Sequence, residues 1–198
     1  MIDELEDIVE GFPMTLEIKG QTITVRMMTS SDGPRLLTFA QQLSDHDLLF
    51  LRRDITKQST IDKWIQNIED GVMQTVLAED KMQVLGYSSL YRNDFDWSRH
   101  VAELRVLVSP QARHLGLGRL LTRKAFSVAL TLGIEKIIAR MTPDQTGART
   151  VFEELGFRPE GLLRDEVKDR AGKTHDILLM ANDVATFLAR GEAYGIPR

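Results

Sequence analysis

The stretch Val106–Phe126, VLVSPQARHLGLGRLLTRKAF, runs from an apolar strand through one basic turn into an amphipathic helix. The turn holds Arg113, His114, Gly116, Gly118 and Arg119, and no acid. The helix carries Leu117, Leu121, Ala125, Val128 and Leu132 at steps of four, four, three and four, the spacing of one buried face. A helix N-terminus exposes backbone N–H groups and a partial positive charge. Glycine leaves an anion room to approach those groups, and arginine adds charge-assisted bonds. The stretch therefore reads as a site for phosphate or pyrophosphate. The alternative is that the glycines only relieve a tight turn and the arginines are solvated. The P-loop pattern is absent, and Leu121 stands where a dinucleotide fingerprint needs its third glycine.

Outward from this turn the chain alternates. MTLEIKGQTITVRMM reads as two strands about Lys19-Gly20-Gln21. Ser31-Asp32 caps a helix through Ala40, and Ser59 or Thr60 opens a second that Gly71 ends. SDHDLLFLRRDIT between them reads as a loop or short helical turns. Three strands follow: MQTVLAED, MQVLGYSSLYR and VAELRVLV, with RNDFDWSRH linking the last two. After the quoted helix, which Gly133 stops, comes the strand IEKIIARM. Thr142-Pro143-Asp144-Gln145 reads as a capping box with proline at the first helical position. The helix it opens is expected to bury Ala148, Val151, Phe152 and Leu155. A hairpin, Phe157–Lys168 and Lys173–Met180, closes the pattern, and short helices are expected over Met1–Phe12 and Val184–Arg190. The expected fold is α/β (α+β): a mixed, mostly antiparallel central sheet of about six to seven strands flanked by helices. The expected division is an extension over 1–13, one domain over 14–183 and a tail over 184–198.

Composition narrows the function. The 198 residues carry a net charge of −4, which disfavours bulk attraction to nucleic acid. There are no cysteines, hence no disulfide, thiol nucleophile or thiolate metal site, and the four histidines lack zinc-ligand spacing, so no metal is expected. No apolar run is long enough to span a bilayer, and the acidic start MIDELEDIVE is unlike a signal peptide. The default is a cytoplasmic protein without membrane or nucleic-acid partners, with a homodimer as one arrangement.

Arg113-His114-Leu115-Gly116-Leu117-Gly118 resembles the R/Q-x-x-G-x-G/A motif of the GNAT superfamily of N-acetyltransferases. Val108-Ser109-Pro110 resembles the family's V-x-P strand end, and ARTVFEELGF, Ala148–Phe157, its A-x-x-x-[YF]-E-x-x-G-F helix. GQTITVRMMTSSD and DRAGKTHDILLM are similar to the first strand and the last hairpin of many members. The likeness runs from Ile18 to Met180 with the motifs in family order. It implies acetyl-CoA as co-substrate and a primary amine as acceptor: a small amine, an amino acid or a protein lysine. By this likeness the amides of Arg113, His114, Leu115, Gly116, Leu117 and Gly118 hold the pyrophosphate, with Arg119 beside them. Val106, Leu107 and Val108 pair with the pantetheine arm, and Gln145 and Phe152 stand at family cofactor positions.

Glu103, on the strand leading into the turn, is the expected general base, since several members carry a catalytic glutamate there. The competing role is an exposed strand carboxylate paired with Arg105. The sequence departs from the family at Phe152, where tyrosine is frequent, at Gln145, where asparagine is frequent, and at Arg140, where some peptide-modifying relatives carry glutamate. The acceptor is expected under the early loop and the RNDFDW link, with His46, Asp94 and Trp97 as contacts and Asp45, Asp47, Asp54 and Asp96 as further candidates. A non-catalytic acyl-CoA sensor is the alternative that Phe152 raises, and an unrelated nucleotide-binding enzyme is a third.

Overall fold

The computed structural model describes residues 11–51, 53–92 and 96–187. The helix expected over Met1–Phe12 falls, except for its last two residues, outside that range, as do Asp94 and the end of the helix expected to reach Arg190. Residues 184–187 are helical.

Eight strands form one sheet: β1 (Met14–Ile18), β2 (Gln21–Met27), β3 (Met73–Asp80), β4 (Gln83–Arg92), β5 (Val101–Val108), β6 (Lys136–Met141), β7 (Arg158–Lys168) and β8 (Thr174–Asp183). Their spatial order is β1-β2-β3-β4-β5-β6-β8-β7. The sheet exceeds the expected six to seven strands because the first and last hairpins both extend it, one at each edge. Among the described residues only β5 and β6 run parallel, joined by the helix that the quoted stretch begins; every other pair is antiparallel.

The helices are α1 (Gly33–Gln41), α2 (Asp45–Leu48), α3 (Gln58–Glu69), α4 (Leu117–Thr131) and α5 (Thr146–Glu154). Alternate residues of a strand face opposite sides of a sheet. One face buries Ala102, Leu104, Ile137 and Ala139 against Leu117, Leu121 and Ala125 of α4 and Phe152 of α5. The other buries Leu77, Tyr87 and Leu107 against Leu36 and Phe39 of α1 and Ile61 and Trp64 of α3. Strands β3, β4 and β5 are thus covered on both sides, which explains why nearly all their residues, polar ones included, are buried or partly buried.

Gly86 of β4 sets how closely α4 lies on the sheet. A Cβ there would stand 2.7 Å from the Leu107 carbonyl oxygen and 3.2 Å from Leu121 Cδ1. Backbone on one side and a buried leucine on the other leave no room for a side chain.

The capping box expected at Thr142–Gln145 is corrected. The Gln145 Oε1 does accept the Thr142 N–H at 3.2 Å, but α5 begins only at Thr146. Residues 142–145 form a turn, closed by the Gln145 N–H donating to the Thr142 carbonyl at 3.0 Å. The expected burial of Ala148 is also corrected: it is exposed, because this short helix meets the core through Phe152 and the following Leu155.

One ionic cluster ties α1 to the sheet. Asp32 is fully buried and receives Arg26 at 2.7 Å, Arg35 and the Thr29 N–H at 2.8 Å. Both arginines also bond Glu79 of β3, each at 2.9 Å. Burial pushes the Asp32 carboxyl upward, but the hydrogen bonds from Arg26 and Thr29 and the charges of both arginines outweigh it, leaving a pKa of about 2. The folded-state value is depressed, so the stabilisation is complete above the ordinary carboxylate pKa of about 3.9 and fades as pH falls toward 2. Asp32→Ala is expected to cost about 3 kcal/mol at pH 7, because it strands two arginine contacts. Urea unfolding of both proteins between pH 7 and pH 2 checks this: the gap should narrow below pH 4, and a pH-independent gap contradicts the assignment.

Candidate active site

The site is built where β5 and β6 part. Parallel pairing runs from Val101↔Lys136 to Leu104↔Ala139 and stops. Beyond that point β5 stays with β4, through Arg105↔Ser89, Val106↔Ser88, Leu107↔Tyr87 and Val108↔Gly86. Strand β6 stays with β8, through Arg140↔Leu179 and Met141↔Leu178. The edge of β5 from Arg105 to Val108 thus has no strand partner on its β6 side among the described residues. Four residues of strand span roughly 13 Å.

The open edge leads into the basic turn. His114 and Gly116 adopt positive φ, 69° and 78°, and Gly116 is the N-cap of α4. This left-handed pair turns the chain sharply from strand to helix. The Leu120 N–H makes the first helical bond, to the Gly116 carbonyl at 3.1 Å. The N–H groups of Gly116, Leu117, Gly118 and Arg119 have no acceptor among the described residues. A Cβ on Gly116 would meet nothing within 4 Å, and one on Gly118 only Val108 Cγ2 at 4.0 Å. Packing does not require glycine at position 118, but access to those amides does. The donors and the open space suit a diphosphate.

Three side chains around the turn already have partners. Arg113 pairs with Asp47 at 2.5 Å, and Arg119 with Glu154 of α5. Lys19, at the β1–β2 turn, donates to the His114 carbonyl at 2.8 Å. Lys19 escaped the sequence reading because only the sheet brings it across 95 positions of chain. Gln145 is held in its turn by the bond to the Thr142 N–H, and Phe152 is buried edge-on to Phe157, with ring centroids 4.7 Å apart.

Glu103 is buried, not exposed, with 4% of its side chain accessible. Its Oε1 accepts from Arg105 Nε at 3.1 Å and Nη2 at 3.0 Å, and its Oε2 lies 3.9 Å from Arg140 Nε. Glu103 and Arg105 lie two apart on β5, on the α1/α3 face with Leu107.

The acidic residues of the early loop are engaged elsewhere. His46 lies 2.9 Å from Asp144, Asp45 pairs with Arg170 at 2.6 Å, and Asp54 with Arg170 at 3.3 Å. The Thr56 hydroxyl, 2.5 Å away, is the largest cause holding the Asp54 carboxyl below its ordinary value. Asp45, His46, Asp47 and Asp54 thereby tie this part of the chain to the basic turn, to the turn before α5 and to the β7–β8 hairpin. Trp97 is 95% exposed and Asp96 pairs with Arg99 at 3.0 Å.

A cavity of about 410 Å³ does lie on this face, beside Arg105, between α3 and strands β4 and β5. Little in the sequence signals it, because its walls come from five separate segments: the loop before α3, α3 itself, and strands β3, β4 and β5.

Residues 40–157 match a family model described as "Acetyltransferase (GNAT) family". No curated protein matches the chain in sequence. Among solved structures, a GNAT-family acetyltransferase from Streptococcus pneumoniae superposes with a TM-score of 0.71 at 19% identity, over 81% of this chain and 99% of that one. A ribosomal-protein-alanine N-acetyltransferase from Brucella melitensis gives 0.70 at 25% identity, over 80% and 98%. A spermidine N-acetyltransferase from Vibrio cholerae, solved with CoA and spermine, gives 0.70 at 19% identity, over 84% and 98%. The parted strands, the glycine turn and the match over residues 40–157 lead to one conclusion: the chain belongs to the GNAT acetyltransferase family.

Proposed function

We propose that the protein is an N-acetyltransferase that moves an acetyl group from acetyl-CoA to a primary amine by direct attack. The observation that carries the reading is the open β5 edge, Arg105–Val108, ending in a turn of acceptor-free amides beside two glycines. Those amides suit a pyrophosphate, and the extended edge suits the amide-bearing pantetheine arm. The edge leads back from the turn toward Arg105 and Glu103.

Bound acetyl-CoA supplies a thioester, an electrophilic carbonyl whose thiolate leaving group has a pKa near ~8.5 and needs little acid assistance. Direct transfer needs no enzyme nucleophile, in keeping with a chain that has no cysteine. The acceptor ammonium must first lose a proton. Glu103 is proposed as the group that takes it, held in place by Arg105. The amine nitrogen then bonds the acetyl carbon as the carbon–sulfur bond breaks, and a proton released by the amine ends on the departing sulfur. Phe152 cannot donate that proton, so water or another group delivers it.

Glu103→Gln is expected to lower kcat by roughly 10²–10⁴-fold while acetyl-CoA binding persists. Steady-state thiol release and calorimetric titration measure the two quantities. Unchanged turnover across pH removes Glu103 from the chemistry and leaves it the structural partner of Arg105.

Gly118→Leu tests the anion cradle. Its side chain would enter space bounded only by Val108, so stability should change by no more than about 1 kcal/mol. Acetyl-CoA affinity should fall more than about ten-fold, seen as a lost thermal shift with the ligand. Retained affinity argues against this turn as the binding site. The sensor reading, raised by Phe152, gains if acetyl-CoA stabilises the fold yet no amine or lysine peptide releases thiol.

A further inference from the structure

The cavity beside Arg105 has a charge that the early loop does not suggest. Arg53, Lys63 and Arg105 line it, and no carboxylate does among the described residues. Arg53 and Lys63 stand exposed and have no ion-pair partner among the described residues. Arg105 lies deeper, 15% accessible, and Glu103 offsets its charge from the strand side. Two positive charges therefore remain unbalanced around a concave space. Burial pushes the Tyr87 hydroxyl far above its ordinary pKa, against a smaller opposite effect of Arg105. It is thus a neutral donor, 1% exposed, that lines the cavity and has no hydrogen-bond partner among the described residues. Buried polar groups ordinarily have partners, and one that lacks a protein partner beside a cavity invites a ligand or water. The polar positions of Trp64 and Ser89 are already used: the indole N–H donates to Thr75 Oγ1 at 3.0 Å, which lies 2.8 Å from Ser89 Oγ.

We infer that this cavity takes an acceptor amine that carries its own anionic group, a carboxylate or a phosphate, drawn by Arg53, Lys63 and Arg105. The inference rests on the acetyltransferase reading above and names the substrate class of that site. The aromatic walls of Trp64 and Tyr87 cover the aliphatic part of the acceptor, and a volume of about 410 Å³ suits a small metabolite. A polyamine, whose remaining nitrogens stay protonated, would meet like charge there. The acids that would have welcomed it, Asp45, Asp47 and Asp54, are bonded to Arg170 and Arg113.

The test compares matched amines by thiol release and by titration into the CoA-loaded protein. Amino acids are paired with their C-terminal amides, O-phosphoethanolamine with ethanolamine, and diamines complete the set. The anionic member of at least one pair should exceed its neutral partner by roughly ten-fold or more, the scale of one charge-assisted bond. The first pairing reports a carboxylate and the second a phosphate. The double variant Arg53→Gln/Lys63→Gln should raise KM for that amine about ten-fold, with kcat and acetyl-CoA affinity kept. Preference for amides or diamines, absence of binding by every anionic amine, or an unchanged KM in the double variant overturns the inference and leaves the acetyltransferase reading standing. Failure of acetyl-CoA to bind overturns both.

Discussion

Two parallel strands that begin as partners and then separate govern the rest of this molecule. Strands β5 and β6 share main-chain bonds only as far as Leu104 and Ala139, after which each is held by its other neighbour. A strand edge inside a protein presents N–H and C=O groups that need partners. Here the edge leads to a helix N-terminus, so in the proposed reading a long ligand with an anion at one end and amides along its length satisfies both. Gly86 keeps α4 against the sheet at the correct end of that edge, and the left-handed residues His114 and Gly116 aim its first amides outward.

Charge organises the surroundings of the cleft in two layers. The cluster of Arg26, Arg35, Asp32 and Glu79 fixes the start of α1 on β2 and β3, and with it the wall that carries Phe39 and Tyr87. Farther out, the loop at residues 45–54 is bound by pairs to Arg113, Asp144 and Arg170, three residues from distant parts of the chain. Exposed pairs of this kind contribute little each to stability. Their consequence is distribution of charge: they neutralise the loop acids and leave the cavity beside Arg105 positive.

Much of the architecture was legible in order of sequence. The hairpin about Lys19-Gly20, the helix that follows Asp32, the strands β3 and β5, and the helix stripe from Leu117 to Val128 all follow from local periodicity and turn chemistry, although the Asp32 carboxylate bonds Arg26 and Thr29 and does not cap the helix. The capping box at Thr142–Gln145 misled because its side-chain bond forms without a helix around it: Gln145 reaches Thr142 across a turn. Ala148 misled because alanine on a helix carries no sign of which face it occupies.

What the sequence determined by itself was the basic turn from strand to helix, since a helix start with its exposed amides is a local object made by consecutive residues, Arg113 to Arg119. The burial of Glu103, the reach of Lys19 to the turn, and the charge lining the cavity beside Arg105 were decided only by tertiary structure. Electrostatic character depends on which partners lie within a few ångströms, and those partners come from segments as far apart as Asp45 and Arg170. A run of aspartates reads as an acidic surface until folding brings arginines to meet it.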